Sequence, residues 1–426
     1  MINAATAPRG ASSFSVANQH ALATILEASQ TKSIIASRDI FDISGIKLWA
    51  RDQPVSSALQ RRLLDRQLRN PLESCLLAED GVTAYALVQS FEALLERGGP
   101  VAALVRPHAG RILRETAHLP LHSVPQLLLT VTQASRPESF EHAIEAMALC
   151  GAMMDAHGGG TAELRMALLC GLLHDLGEMY IDPRHGEAEA DRELDFLSYQ
   201  QLVVHPHVGH LLIAQLTNYP GALSRAIAEH HERLDGSGYP HGLQSDDMSS
   251  LGRMLAVTEA TLGTLRHAEQ PLLARASVAL RAVPGEFDLY WARVVEAGAR
   301  AEVPTRARLN SSQVQARLGR LDAALRTAEE GAADLATAAE SPALKSAVSL
   351  SRHLLARLRV GWNASGLWSA QALSARDVAE VDAIEEELVF RLRAIERAAL
   401  LRAGELAPGD AARLNALCES LRASTV

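Results

Sequence analysis

MALLCGLLHDLGE, residues 166–178, is the stretch on which the fold turns. From Met166 to Leu173 nearly every side chain is apolar, so no face is left for water and the segment predicts a buried helix. That helix ends by carrying His174 and Asp175 into the interior, and Gly177 is expected to let it stop. Adjacent helical positions diverge by roughly 100°, so one residue can hold one ion while its neighbour's carboxylate bridges to a second. A buried ionised aspartate is costly unless a cation or partner meets it.

Other segments deliver similar groups. ESFEH places Glu138 and His142 four residues apart, on one face of a predicted helix start. HPHVGH sets His205 before Pro206, where a helix can begin. SRAIAEHHE ends an amphipathic helix with His230 and His231, and LGRMLAVTEATLG buries Glu259 among apolar neighbours. Ten of the sixteen histidines fall between His142 and His241. A lone histidine on an apolar face is ordinarily a hydrogen-bonded core residue, and a first-turn Glu138 is equally an exposed carboxylate on the helix dipole. Jointly, five helical segments each supplying an imidazole or acid predict a metal site. His157, His185, His207, His210 and His241 are left as surface or structural. Imidazole and carboxylate without thiolate favour iron, manganese or zinc over calcium or magnesium. The surplus of ligands suits two or three ions with Asp175 bridging, an arrangement fitted to phosphate-ester hydrolysis by water of lowered pKa.

The rest of the 426 residues sets the frame. The net charge of −9 excludes a nucleic-acid polymer as the natural partner. Lys32, Lys47 and Lys345 are the only lysines. Four scattered cysteines show no zinc-finger spacing, which with the absence of an apolar leader or membrane-length run is read as a cytoplasmic protein. The fold expected is mainly α. Residues 1–35 form a flexible N-terminus, a loose Ser/Ala-rich stretch followed by a short helix, and 36–80 a small α+β module. In that module DIFDISGIKLWARDQPVS reads as two strands around Ser44-Gly45, SALQRRLLDRQL as a helix and LESCLLAED as another strand. Residues 81–134 are a helical connector, 135–303 a helical metal domain and 306–426 a C-terminal helical bundle. There Val314, Leu318, Leu321, Leu325, Ala328, Ala332 and Leu335 form a heptad stripe, and Val381, Ile384, Leu388, Leu392 and Ile395 a second. The stripes suit a bundle packed on itself or a dimerising, signal-transmitting helix pair.

His142, HDLG at 174–177, HP at 205–206 and HHERLDGSGYP at 230–240 resemble the HD-GYP domain, a branch of the HD phosphohydrolase superfamily, over about residues 135–300, with GEFDLYW at 285–291 resembling its closing helix. The resemblance implies an all-helical domain that hydrolyses cyclic di-GMP or a related cyclic dinucleotide with two or three iron or manganese ions. It implies His142, His174, Asp175, His205, His230 and His231 as metal ligands, Glu138 as the extra acid of three-metal members and Glu259 in place of a final aspartate. Asp175 and His231 are the catalytic candidates. Asp235, Gly236, Gly238, Tyr239 and Pro240 form the loop that shapes the substrate groove and docks partners. Gly236 and Gly238 are expected to adopt backbone angles closed to other residues, and Pro240 to stiffen the exit.

Besides Glu259, two departures and an acidic loop stand out. The family lysine of HDxGK, which contacts substrate phosphate, is Glu178, so a charge is reversed where an anion must sit. The family's basic TSDRPYR-like segment is replaced by LGTLRHAEQPLL, with only Arg266 and His267. The loop from Asp182 to Asp195 is acidic, with Glu187, Glu189, Asp191 and Glu193. A second reading follows: a metal-loaded nucleotide sensor or interaction module with weak or no hydrolysis, self-associating or docking a signalling partner through the loop and the C-terminal helices.

Overall fold

The computed structural model describes residues 14–183, 201–267, 271–302, 311–364 and 406–423, with Glu387, Arg391 and Ala399. The chain divides into two compact units. The first comprises residues 1–97, 108–192 and 204–228, and the second 98–107, 193–203 and 229–426. The architecture is mainly helical with a small α+β portion, as the sequence patterns require.

The first unit opens with helix α1, Gln19–Ala28, whose N-terminus is closed by Asn18 Oδ1 accepting from the amides of His20 and Ala21. Strands Ile40–Phe41 and Lys47–Trp49 pair antiparallel across Gly45, at φ +86°. A further strand, Ile34–Ala36, pairs with Leu76–Ala78 and lies partly in the stretch read as a loose N-terminus. Two local readings need correction. The helix in SALQRRLLDRQL stops at Leu63, because Asp65 turns left-handed (φ +57°) and Leu68 bridges to Asp42 instead. In LESCLLAED, residues Leu72–Cys75 are a 3-10 turn, and the strand begins only at Leu76.

Helices Ser123–Ser135 (α2), Pro137–Ala156 (α3) and Thr161–Leu173 (α4) build the core that positions the metal candidates. Leu127, Leu128, Val131, Met147, Leu149, Leu168 and Leu172 are at most 1% exposed. Burying each leucine or methionine contributes roughly 1.5–3 kcal/mol. The chain then continues through the 3-10 turn His174–Tyr180, and helices His205–Leu216 (α5) and Gly221–Glu229 (α6) complete the unit.

In the second unit, Ser250–His267 (α7), Leu273–Ala279 (α8) and Leu289–Ala301 (α9) pack on one another, and α9 also meets the short helix Gly99–Val105. Ser311–Ala338 (α10), Pro342–Ala364 (α11) and Pro408–Ala423 (α12) form the C-terminal bundle. Leu318, Leu321, Leu325, Ala328 and Ala332 of the heptad stripe are buried against Leu344, Val348, Leu355 and Trp362 of α11 and Leu414 and Leu417 of α12. The stripe is spent on packing within the chain. The second stripe, Val381 to Ile395, lies outside the described residues, as do most of the acidic loop after Pro183 and residues 268–270.

Candidate metal centre

The C-terminal half of helix α4, Ala167–Leu173, is apolar and buried all round, so it drives that end into the interior and delivers His174 and Asp175 there. The His174 Nδ1–H donates to Gly171 O at 2.7 Å, which turns Nε2 toward Asp175 Oδ2, 3.0 Å away, and in the neutral ring gives that nitrogen the lone pair. His142, from the second turn of α3, brings its Nε2 to 3.4 Å from the same oxygen. His205, at the first position of α5, brings its Nε2 to 3.5 Å from Asp175 Oδ1. His174 and His205 are 0% exposed and His142 5%. The His142 and His174 rings meet edge to face, with centroids 5.2 Å apart.

Three imidazole nitrogens therefore converge on one largely buried carboxylate, whose side chain is 12% exposed. Burial raises the Asp175 pKa, but protons on the facing imidazoles outweigh it: the charge of His174 and hydrogen bonds from His142, His174 and His205 then hold the carboxyl well below its ordinary range. Asp175 is shared between two groups of side chains able to hold a cation, His142 and His174 ligating in one and His205 in the other. Nitrogen and carboxylate donors of this kind suit a divalent transition metal. Thiolate does not compete: burial pushes the Cys170 thiol well up, away from the ionised form.

Gly177 has a different job from the one read in the sequence. The chain stays helical through it to Tyr180, so it is not a stop. A Cβ there would lie 2.0 Å from His205 O and 2.8 Å from Gly209 N. The absence of a side chain lets the turn carrying His174 and Asp175 press onto the turn carrying His205. Glu178 is also buried, at 6% exposure; Arg136 Nη1 donates to its backbone oxygen at 3.2 Å, and the two side-chain charges attract. Glu138 sits exposed in the first turn of α3, outside the group around Asp175.

The second unit holds the other candidates. His230 and His231 are buried, with rings 4.1 Å apart, and His231 stacks on Tyr239 at 4.6 Å and 20°. Glu259 is 4% exposed on α7. Asp235 to Pro240 are half-buried, and Asp235 Oδ1 accepts the Ser237 amide at 3.0 Å to form the turn. Gly236 has φ +80°, as expected, but Gly238 does not reach positive φ; it is required because a Cβ would lie 2.4 Å from His231 O and Glu232 Cα.

Two acids here escaped the sequence reading. Glu232, fully buried, accepts the amides of His241 at 2.7 Å and Leu243 at 2.9 Å, closing the loop around itself. Glu229 accepts the Ser249 amide at 2.8 Å and its hydroxyl at 2.5 Å, fastening the entry to α7. Their signal was an acid at the end of an apolar helix, directly beside the histidines. Further along, burial pushes Glu286 up to about 7 against the pull of Arg391 and Arg233, and its backbone oxygen accepts the Leu234 amide. The histidines left as structural behave so where described: His157 Nδ1 bonds to Met153 O and His210 Nδ1 to Ser224 O, while His207 and His241 are exposed. His185 lies outside the described residues.

Residues 124–282, which hold every group above from His142 to Glu259, match the family described as HD domain. This segment is an HD domain, HD-GYP-like in its motifs. It is 29% identical over 159 residues to a cyclic di-GMP phosphodiesterase of Pseudomonas aeruginosa, covering 37% of this chain and 38% of that protein. It is 27% identical over 139 residues to a 3'3'-cGAMP-specific phosphodiesterase of Vibrio cholerae, covering 32% and 31%. A cyclic di-GMP phosphodiesterase response regulator of Xanthomonas campestris is 29% identical over 116 residues, covering 26% and 29%. The chain thus spans about a third of the length of these curated relatives. No solved structure matches it. Among the described residues, no helix of the HD domain or its flanks is long and apolar enough to cross a membrane.

Proposed function

We propose that this chain is a metal-dependent phosphodiesterase that opens a cyclic dinucleotide, cyclic di-GMP or a relative such as 3'3'-cGAMP. The observation that carries the reading is the convergence of His142, His174 and His205 on the ionised carboxylate of Asp175. His142 and His174 would hold one ion and His205 the next, with Asp175 shared. In this reading His230, His231 and Glu259, all buried, are the further ligands, and Glu138, exposed in the first turn of its helix, stays outside the set. Iron or manganese, when bound, would polarise the phosphoryl oxygens and bring the pKa of the attacking water toward neutrality.

The chain's own groups do the rest. The His174 Nδ1–H bond to Gly171 O fixes the tautomer that a ligand needs. Asp175 stays ionised and orients the attacking water toward phosphorus. His231 is stacked on Tyr239, which orients its ring for ligation, and the departing ribose oxygen takes its proton from water at the site. The turn from Asp235 to Pro240 lines the nucleotide's path. Removing these groups from bulk water strengthens each electrostatic interaction.

A specific observation favours the second reading, a metal-loaded nucleotide sensor or docking module. Glu178 stands where a phosphate-gripping lysine would, its charge set against Arg136, and no lysine lies between Lys47 and Lys345. The test is elemental analysis of the purified full chain, with turnover of cyclic di-GMP and 3'3'-cGAMP. Two or more iron or manganese ions with release of linear dinucleotide is the expected result. Bound metal and micromolar nucleotide binding without turnover selects the sensor. A chain that binds no transition metal overturns both.

A further inference from the structure

The 3-10 turn His174–Tyr180 has two ends. One carries His174 and Asp175. The other is held by residues that precede the HD domain in the chain. The Tyr180 hydroxyl donates to Glu73 Oε1 at 2.7 Å, and both residues are buried, at 7% and 3% exposure. Asn18 Nδ2 donates to Tyr180 O at 3.1 Å, and Phe14 meets the Tyr180 ring edge-on at 5.6 Å. Next to it, Arg136 bridges Glu178 O and Thr24 Oγ1, each at 3.2 Å. Arg136 directly precedes the helix that presents His142.

Two ligand-bearing segments are thus tethered to the N-terminal region, one by Tyr180 and the other by Arg136. Burial is the main influence on both groups of the Glu73–Tyr180 pair, raising each pKa, so the carboxyl and the phenol have few alternatives to one another. Asp175 and Tyr180 lie on one continuous 3-10 turn, so a shift at Tyr180 is passed along that turn to Asp175.

We propose that Glu73 and Tyr180 are a positioning pair, through which the N-terminal region sets the geometry of the His174 and Asp175 metal ligands. The proposal rests on the metal reading above and adds a dependence on residues outside the HD domain. Neither residue touches metal or substrate; they act through the turn.

The experiment is a titration of the full chain with Mn2+ alone, by chelator competition, alongside thermal melts. Tyr180→Phe and Glu73→Leu should each weaken Mn2+ binding roughly tenfold, at the lower edge of outer-shell effects. The double variant should be no weaker than either single one, because the two share one interaction. Glu73→Gln keeps an oxygen to accept the phenol and should stay close to the parent. Tyr219→Phe is the control: its hydroxyl donates to Pro120 O at 2.7 Å in the same unit, and its loss should leave Mn2+ affinity unchanged. If Tyr180→Phe melts earlier yet binds Mn2+ as the parent does, the pair is merely structural and the proposal falls. A parent chain that binds no Mn2+ removes the metal reading and this proposal together; parent binding with additive losses in the double variant removes the pairing alone.

Discussion

Asp175, largely buried, and Glu232, wholly buried, are both acids beside histidines, and their surroundings are opposite in kind. Glu232 is met by backbone N–H groups, from His241 at 2.7 Å and Leu243 at 2.9 Å. Those donors are permanent, so the carboxylate is complete without any cation. Asp175 is met by ring nitrogens at 3.0, 3.4 and 3.5 Å. A neutral imidazole nitrogen can present a lone pair rather than a proton, and His174 has already given its Nδ1 proton to Gly171 O. Lone pairs facing carboxylate oxygens repel unless a proton or a metal ion lies between them. The first acid is architecture; the second is an invitation to positive charge.

The largest effect that can break this contrast lies at Asp175. Asp175→Asn keeps the shape but removes the shared charge, and the purified variant should lose bound metal together with about 10²–10³-fold in phosphodiesterase turnover. Elemental analysis with full metal content in the variant would dissolve the distinction between the two acids. At Glu232 the effect should be on stability and not depend on metal. Glu232→Ala leaves the amides of His241 and Leu243 without their acceptor, so urea unfolding should show a loss of about 1–3 kcal/mol. The loss should be the same with and without chelator; a loss that vanishes on chelation would make Glu232 part of the metal centre.

Periodicity and cost explain what the sequence could announce. An apolar run ending in His174-Asp175 signals a buried charge in need of a partner, and that signal is local. So is the stripe from Leu318 to Ala332, whose spacing specifies a helix face; what the pattern left open was its partner, which is α11 and α12 of the same chain. The failures share another cause. Gly177 was read as a helix stop because a glycine's own neighbours suggest one, whereas its reason is the oxygen of His205, brought close only by the fold. Glu73 and Tyr180 are 107 positions apart and carry no local mark of one another. Strand Ile34–Ala36 was missed because its three residues gain their hydrogen bonds from Leu76–Ala78, forty residues on.

The smallest effect is expected at Glu138, and it sharpens the contrast from a third side. Its spacing to His142 suggested a ligand, and so did the resemblance to three-metal domains. In the folded chain it is exposed at the first turn of its helix, where the dipole favours a carboxylate whatever else is nearby. An exposed acid is already solvated by water and, unlike Asp175, has no need of a cation. Glu138→Ala should therefore cost no more than about 0.3–1 kcal/mol of stability and leave the number of bound ions unchanged. The count should be made by elemental analysis under saturating Mn2+. A variant that binds one ion fewer than the parent would return Glu138 to the ligand set and break the contrast with Asp175.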